Sequence, residues 1–315
     1  MKRIFITGIA GFIGFHLAKY LKSKNIEVIG IDNFNDYYDV NLKKLRKNIL
    51  EKENIKVIKL DINEKNELEK LLKENKITHF VNLAAQAGVR YSIENPYAYL
   101  RSNIDGFVSV LEVLKDKDIK LIFASSSSVY GDNKKTPFST LDRTDTPTNL
   151  YGATKKANES LAYAYNSMYN TPMIGLRFFT VYGPYGRPDM AYYSFTKDIL
   201  EKKPIKIFNN GNMQRDFTYI DDIISGIYSS LDYETSFEIF NLGNNKPINL
   251  LTFISIIEKR LNIKAIKEFM PFQKGEMLTT FADIENSKNK LNFNPKTSIE
   301  KGIDTFISWY EQEMV

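Results

Sequence analysis

Residues 6–14, ITGIAGFIG, decide the fold, because Gly8, Gly11 and Gly14 stand where an apolar strand runs into a helix. Glycine permits a tight turn and a close approach, and the first turn of a helix offers unpaired N–H groups to a diphosphate. A second strand, EVIGID, ends about twenty residues later at Asp32, where a carboxylate accepts from ribose hydroxyls and repels a 2′-phosphate. The spacing predicts a dinucleotide site that prefers NAD to NADP. The alternative is a capping aspartate beside a glycine turn that serves packing alone.

The first half of the 315-residue chain alternates short apolar runs with longer helical patterns, which is typical of a parallel sheet covered by helices. The candidate strands are RIFITG, EVIGID, IKVIKLD, ITHFVNLA, KLIFASS and MIGLRFF. Six strands joined by crossovers of helical length predict an α/β fold with a Rossmann-type doubly wound parallel sheet. We expect the NAD-binding domain over residues 1–180 and a smaller mixed α/β C-terminal substrate domain over residues 181–315. A segment near residues 217–245 is expected to cross back to the first domain.

The composition excludes several classes of chemistry. The chain has no cysteine and two histidines, which excludes disulfides, thiolate metal sites and cysteine nucleophiles, and no metal site is predicted. Redox chemistry would therefore need a bound cofactor. The net charge of +5 accompanies lysines interleaved with glutamates on faces expected to be solvated, as in LKKLRKNILEKE, and is weak evidence for nucleic-acid binding. No apolar stretch approaches the ~18 residues of a membrane span, so we expect a soluble cytoplasmic protein with neither nucleic-acid nor membrane partners.

Tyr151 and Lys155 in LYGATKKANE are four residues apart, which places them on one face of a helix. A tyrosine that acts near neutral pH needs its pKa lowered by about three units from ~10, or roughly 4 kcal/mol. One ammonium ~4 Å away at an effective dielectric of ~20 supplies about that amount. The pair therefore predicts a general base that takes a proton from a hydroxyl while a hydride leaves the same carbon. Such pairs are also common on ordinary helices.

Several further motifs carry a resemblance to a known family. They are QAGVRYSIENPYAY, ASSSSVYG, RFFTVYGPYGRPDMA, RDFTYIDDI and a closing stretch that begins FADIENSKNKLNF. With the glycine trio and Y-x-x-x-K, they resemble the extended short-chain dehydrogenase/reductase family over nearly the whole chain, and within it the UDP-glucuronate 4-epimerases. The resemblance implies that a homodimer converts UDP-glucuronate to UDP-galacturonate through a 4-keto intermediate with tightly held NAD, for polysaccharide biosynthesis. The C-terminal domain would then bind the UDP-sugar.

The serines of ASSSSVYG take their expected roles from this resemblance. Ser126 is expected beside Tyr151, bonded to the 4-oxygen of the sugar, and Ser127 and Ser128 are expected to face carbon 6. Relatives that eliminate water, or that decarboxylate the same uronate, carry acidic residues at the last two positions. We therefore expect oxidation and re-reduction at carbon 4 and no elimination. The alternative is a serine-rich turn that bonds its own backbone.

The uronate carboxylate is expected near Thr180 and Arg187, which resemble the subgroup's positions, since an arginine fork suits a carboxylate. A 4-keto uronic acid is a β-keto acid that loses carbon dioxide when its carboxylate lies perpendicular to the ketone. Holding that carboxylate in another orientation is therefore part of the expected function. The alternative for Arg187 is a loop charge that faces water.

The nucleotide end of the substrate is expected near Arg215, which resembles the family's diphosphate contact, and Phe208, which either packs on uracil or belongs to the core. Arg90 is a candidate for phosphate or sugar contact, or for an interface salt bridge. Gln273 stands where many 4-epimerases of neutral sugars have a second phosphate arginine. That departure fits the uronate subgroup and puts a two-arginine clamp in doubt.

The sequence thus yields three sets of candidate residues and two rival functions. The predicted catalytic residues are Ser126, Tyr151 and Lys155. The predicted cofactor-binding residues are Gly8, Gly11, Phe12, Ile13, Gly14, Asp32, Asn33, Asp61 (a helix cap in the alternative), Ile62, Leu83, Ala84, Ala85, Asn103, Tyr151, Lys155 and Phe178. The predicted substrate-binding residues are Arg90, Ser126, Ser127, Ser128, Tyr151, Thr180, Arg187, Phe208 and Arg215. The rivals are a 4-epimerase of UDP-glucose or UDP-N-acetylglucosamine and, in another class, a non-catalytic NAD-sensing regulator.

Overall fold

The computed structural model describes residues 2–271 and 277–314. Its strands are β1 (Arg3–Thr7), β2 (Glu27–Asp32), β3 (Lys56–Lys59), β4 (His79–Asn82), β5 (Lys120–Ser126), β6 (Met173–Phe178), β7 (Thr180–Tyr182), β8 (Pro204–Phe208), β9 (Gln214–Tyr219), β10 (Phe237–Leu242), β11 (Pro247–Asn249), β12 (Ile266–Met270) and β13 (Thr279–Thr280). Seven of them form one parallel sheet in the order β10-β6-β5-β4-β1-β2-β3. The predicted doubly wound Rossmann-type sheet is confirmed.

Helices cover both faces of this sheet. The α-helices of the described residues, in chain order, are α1 (Phe12–Ser23), α2 (Val40–Lys52), α3 (Lys65–Glu74), α4 (Tyr91–Glu94), α5 (Pro96–Tyr99), α6 (Gly106–Leu114), α7 (Leu150–Tyr169), α8 (Ala191–Leu200), α9 (Ile220–Asp232), α10 (Leu250–Leu261), α11 (Glu285–Leu291) and α12 (Ile299–Glu313). On one face α1 packs against α2 and α9, and on the other α6 packs against α3 and α7. None of the helices in the described part of the chain is both long and apolar enough to cross a membrane.

The strands of the large sheet are apolar on both faces because helices bury both. Along β1, Ile4 and Ile6 belong to the core beside α1, and Phe5 belongs to the core on the opposite face, where it stacks on Phe80 with ring centroids 5.2 Å apart. This alternation is the period of two that a strand imposes on its side chains. Near-continuous apolar runs are the usual sequence of such doubly covered parallel strands.

The seventh strand of the large sheet comes from the second half of the chain. FEIFNLG looks like a scattered strand in the sequence, and the structure places it as β10, the edge strand of the large sheet, parallel to β6. The helix before it, α9, packs on α1. The chain therefore returns to the large sheet after leaving it at Phe178. The division of the chain near residue 180 stays a prediction.

The smaller part of the molecule is built around β9. This strand pairs in parallel with β7 and β13 and antiparallel with β11, while β8 and β12 form a separate parallel pair. Phe217 of β9 stacks on Phe253 of α10, with centroids 4.2 Å apart. These short strands face the carboxyl edge of the large sheet, which is where ligands bind in open α/β sheets.

Candidate active site

A cavity of about 960 Å³ lies between the carboxyl edge of the large sheet and the smaller strands. Its walls include every residue of the three predicted sets except Asn103. The glycine-rich turn and Asp32 stand in the same cavity as Tyr151, Arg187 and Arg215. The structure therefore brings together residues that are far apart in the sequence, in a volume suited to ligands of substantial size.

The glycine-rich turn packs so closely on neighbouring backbone that Gly8 and Gly14 have no room for a side chain. Gly8 has φ +68°, and a Cβ there would lie 2.9 Å from the backbone nitrogen of Ala84. A Cβ at Gly14 would lie 2.3 Å from the carbonyl oxygen of Gly8. Among the described residues, no side chain caps the N-terminus of α1 at Gly11, so its first N–H groups meet the cavity. This is the geometry that binds a diphosphate.

Asp32 ends β2 and is 7 % exposed. Its carboxylate accepts from the backbone N–H of Ala10 at 3.2 Å and of Phe34 at 2.8 Å, and burial raises its pKa against the opposing charges of Lys43 and Arg46. Asp32 therefore ties down two loops while it lines the cavity, and its contact with a ribose stays a prediction. Near it, Asn33 donates to Asp61 at 2.9 Å, and both line the cavity.

Two basic residues of α2 contradict the prediction of a solvated face. Lys43 and Arg46, within LKKLRKNILEKE, are only 5 % and 0 % exposed. Lys43 donates to the carbonyl of Asn35 at 2.7 Å, and Arg46 donates to backbone carbonyls described below. The interleaved charges suggest a solvated helix, but the helical period places Arg46 on the same face as Leu42 and Leu50, and that face is buried.

Asn103 does not line the cavity, which corrects the prediction that it contacts the cofactor. It lies in a π-helical turn, Leu100–Asp105, and is 1 % exposed. Its amide bonds the backbone N–H and carbonyl of Gln86 at 2.8 and 3.0 Å, and Thr154 at 3.0 Å. Asn103 thus fixes the loop after β4 to α7 from behind, because its hydrogen-bonding capacity is spent on the protein.

Tyr151 stands in the first turn of α7, which begins after Asn149, whose side chain accepts from the N–H of Gly152 at 2.8 Å. Tyr151 is half-buried on the cavity wall, where its phenol interacts with the side chain of Ser126. Burial raises its pKa, and the bond with Ser126 and the positive charge of Arg187 oppose that rise. Lys155 is not among the groups that shift this pKa, and its predicted effect on the phenol stays a prediction.

Lys155 turns its amine to the backbone instead. Its Nζ donates to the carbonyl of Ala124 at 2.8 Å, and the residue is 2 % exposed. Burial lowers the pKa of Lys155 to about 8. The amine is therefore largely protonated at neutral pH, one helical turn from Tyr151 and on the cavity wall.

The four serines at the end of β5 all line the cavity but differ in their hydrogen bonds. Ser125 donates to Glu159 at 2.6 Å, inside a buried network in which Arg177 grips the same carboxylate at 2.8 and 2.9 Å. Ser126 accepts from the N–H of Ser128 at 3.1 Å, so a turn that bonds its own backbone is also present. Ser126, Ser127 and Ser128 line the cavity, which the turn alone does not require.

Arg187 is a wall residue whose side chain is 20 % exposed and ion-paired, which argues against a loop charge that faces water. Its Nε donates to Asp189 at 3.0 Å, and its Nη2 contacts the carbonyl of Ala87 at 3.5 Å. Tyr37 donates to the same Asp189 at 3.2 Å. Sequence reasoning missed Tyr37 and Asp189, although Asp189 stands two residues from Arg187 in YGRPDM. Thr180 begins β7 on the same wall.

The far end of the cavity carries Phe208, the last residue of β8. The guanidinium of Arg90 lies over its ring, 4.5 Å from the centroid. Arg215, on β9, donates to the carbonyls of Gln214 at 2.9 Å and Leu278 at 3.2 Å. All three predicted residues line the cavity, with an aromatic face and two cations that suit a base and a diphosphate. Gln273 lies outside the described residues.

Comparisons with known proteins agree with this geometry. The model of the NAD dependent epimerase/dehydratase family matches residues 4–243. An uncharacterised protein of Methanocaldococcus jannaschii is 51 % identical over 98 % of this chain and 96 % of its own length, and UDP-glucuronate 4-epimerase 2 of Arabidopsis thaliana is 45 % identical over 98 % and 75 %. The crystal structure of UDP-glucuronic acid 4-epimerase from Bacillus cereus, with UDP-glucuronic acid and NAD, is 36 % identical with a TM-score of 0.92, covering 98 % of this chain and 99 % of that one.

Proposed function

The chain belongs to the NAD dependent epimerase/dehydratase family, and from that premise we propose that it interconverts UDP-glucuronate and UDP-galacturonate by inverting carbon 4. One observation carries the proposal. One cavity is lined by the glycine turn that suits a diphosphate, by Tyr151, by the hydroxyls of the serine-rich segment and by the guanidinium of Arg187. That wall suits a sugar whose carbon 6 is a carboxylate.

The residues present fit NAD. Gly8 and Gly14 let the turn pack closely on the backbone of Ala84 and on itself, and the uncapped N-terminus of α1 then faces the cavity, as a diphosphate requires. Asp32 lines the cavity where a ribose would sit. When bound, the nicotinamide of NAD supplies a hydride acceptor that can take the hydrogen of carbon 4 and return it to the other face. The chain itself contributes the binding, the orientation and the movement of the hydroxyl proton.

Tyr151 is the proposed base for the hydroxyl at carbon 4. Ser126 bonds the phenol and so orients it, and the positive charge of Arg187 opposes the pKa rise that burial causes. Lys155, largely protonated at neutral pH, adds a second positive charge one turn away. A phenolate in this site would take the proton as the carbon is oxidised and give it back when the carbon is reduced.

The hydroxyls of Ser127, Ser128 and Thr180 and the guanidinium of Arg187 are the proposed ligands of the uronate carboxylate. Ser127 and Ser128 stand where relatives that eliminate water or decarboxylate the uronate carry acidic residues. Neither serine is an acid or base that could move a proton at carbon 5 or assist the loss of carbon dioxide from the substrate. Held by neutral hydroxyls and one fixed cation, the carboxylate stays out of the perpendicular orientation that favours its loss. The reaction then stops at inversion of carbon 4.

Competition between two substrates tests this function. The purified chain would receive equal amounts of UDP-glucuronate and UDP-glucose, with the products followed by NMR. We expect UDP-galacturonate to form first, with little UDP-galactose. Preferential epimerisation of the neutral sugar would replace the proposal with its closest rival, and NAD-dependent binding without turnover of either sugar would favour a regulator.

We further propose that the protein is a cytoplasmic homodimer, joined through helices of the NAD-binding part. Four large apolar side chains are exposed on α4, α5 and α7. They are Ile93, Tyr97, Tyr163 and Met168, which are 70 %, 79 %, 61 % and 60 % exposed. A second copy would cover such a patch more readily than water. Light scattering after gel filtration should give twice the chain mass of 36.4 kDa, and a single-chain mass at micromolar concentration would contradict the dimer.

A further inference from the structure

Arg46 is a wholly buried arginine that binds only uncharged oxygen atoms within the described residues. Its Nη1 donates to the carbonyl of Ala10 at 2.9 Å and the hydroxyl of Tyr38 at 2.7 Å. Its Nη2 donates to the carbonyls of Tyr185 at 2.7 Å and Gly186 at 3.1 Å. Its Nε has no partner there. A buried charge is costly unless it is paired and fully bonded, so this arrangement is a poor way to gain stability.

The three backbone carbonyls that Arg46 binds belong to two functional loops. Ala10 lies inside the glycine-rich turn, between Gly8 and Gly11. Tyr185 and Gly186 are the two residues immediately before Arg187. One guanidinium therefore joins the diphosphate-binding turn to the loop that carries the proposed carboxylate ligand, across 36 residues of sequence on one side and 140 on the other.

The loop before Arg187 needs external support. Tyr185 has φ +55°, in the left-handed region that a bulky side chain rarely adopts, and such a conformation persists only when its surroundings hold it. His16 of α1 holds the preceding carbonyl, because its Nε2 donates to Pro184 at 2.9 Å. Three successive carbonyls, those of Pro184, Tyr185 and Gly186, are thus held by two residues from α1 and α2.

Arg46 itself is absent from the walls of the cavity, so it acts through other residues. The side chain of Arg187 is oriented by Asp189, and the backbone that carries it is oriented by Arg46. We propose that Arg46 is the positioning residue that places Arg187 for the uronate carboxylate and thereby sets the preference for a uronate over a neutral sugar. This inference rests on the proposed function, in which Arg187 binds that carboxylate.

Binding to two UDP-sugars separates positioning from a merely structural role. All variants would be made in the Tyr151→Phe background, with NAD bound, so that calorimetry measures affinity without turnover. The variants are Arg46→Lys, Arg187→Ala and the pair together, with Arg3→Lys as the matched control. Arg3 begins β1 and pairs with Glu27 at the start of β2, at the amino end of the strands. Lysine keeps the charge but cannot span four oxygens with one planar fork.

We expect Arg46→Lys to weaken UDP-glucuronate binding about tenfold, because small misplacements of a ligand-binding group are costly, and to change UDP-glucose binding less than about twofold. In the Arg187→Ala chain, Arg46→Lys should produce no further loss for UDP-glucuronate. The control should leave both affinities unchanged. If Arg46→Lys weakens the binding of both UDP-sugars equally, or leaves the preference for UDP-glucuronate unchanged, the inference is overturned. The competition experiment would still support epimerisation in either case. Should Arg46→Lys fail to fold, His16→Gln is the second test, because it releases the carbonyl of Pro184. It must then show the same selective loss of UDP-glucuronate binding, in smaller measure.

Discussion

Tyr151 meets Ser126 where the serine-rich end of β5 faces the first turn of α7. The phenol lies on the cavity wall beside Ser126, so its proton is the one most directly placed to exchange with a hydroxyl in the cavity. Lys155 lies one turn away and spends a hydrogen bond on Ala124. The proton chemistry is therefore assigned to Tyr151 rather than to the amine.

Replacing Tyr151 by phenylalanine removes that proton carrier and leaves the ring. We expect turnover of UDP-glucuronate to fall by about 100- to 10,000-fold, the usual contribution of a general base. NAD and UDP-glucuronate should still bind. The matched control is Tyr163→Phe, on the same helix but 61 % exposed, which should keep full activity. Near-normal turnover in the first variant would remove Tyr151 from the mechanism.

Arg187 and Ser128 hold the carboxylate in this account. Removing the guanidinium in Arg187→Ala should raise the KM for UDP-glucuronate by roughly 10- to 100-fold, since a hydrogen bond to a charged group contributes about 1.5–3 kcal/mol. Ser128→Ala should release a measurable fraction of a UDP-pentose, because the carboxylate is then less constrained. Product NMR measures both effects. Unchanged KM values and product ratios would count against these contacts.

Nearly all residues that the sequence predicted for the site line the cavity, because short motifs mark them, but the sequence missed contacts made across the fold. Tyr37 reaches Asp189 over 152 residues, and Arg46 reaches Gly186 over 140. Neither pair carries a spacing that sequence reasoning could use. Asn103 failed for a related reason: only the structure shows that Gln86 and Thr154 already use its amide.

At the level of elements, a buried ion pair fixes α7 to the serine-rich strand. Glu159, two turns beyond Tyr151, binds Ser125 of β5 and both Nε and Nη2 of Arg177 on β6. Arg177 also donates to Tyr130, whose hydroxyl donates to Asn241 of β10 at 2.7 Å. The network crosses three neighbouring strands directly beneath the catalytic residues, and so keeps Tyr151 and Ser126 in register.

Glu159→Gln should be strongly destabilising, because it leaves the guanidinium of Arg177 buried without its negative partner. The expected loss is about 3–5 kcal/mol in the free energy of unfolding. Urea denaturation measures it. Glu285→Gln is the control, since Glu285 pairs with Lys288 at 3.7 Å on the surface of α11 and such pairs contribute about 0–1 kcal/mol. Equal stabilities of the two variants would contradict the proposed role of the network.

His16 makes the contact between α1 and the loop before Arg187 sensitive to acid. Burial lowers its pKa from 6.5 to about 4. Between these values the unfolded chain binds a proton at His16 and the folded chain does not, so stability contributed by the neutral ring is lost as the pH falls from about 6.5 toward 4. In His16→Gln this part of the pH dependence should disappear. Urea denaturation of both chains at pH 7 and pH 4.5 tests it, and identical pH dependence would refute it.

At the level of the whole molecule, alternation of strands and helices was enough to predict the large sheet. Six of its strands were found from apolar runs bounded by turn residues, because doubly buried strands are apolar throughout. The seventh, β10, was not assigned to the sheet, since FEIFNLG follows a long excursion and its partner Met173 lies 64 residues earlier. Long-range pairing of this kind has no local signature in a single sequence.

The measurement that tests the central claim most directly is epimerisation in heavy water with no added NAD. The purified chain would be incubated with UDP-glucuronate in D₂O and followed by NMR. The account predicts UDP-galacturonate that keeps ordinary hydrogen at carbon 4, because the hydrogen removed from that carbon is the one returned. Deuterium at carbon 4, or no UDP-galacturonate from protein that carries NAD, would contradict it.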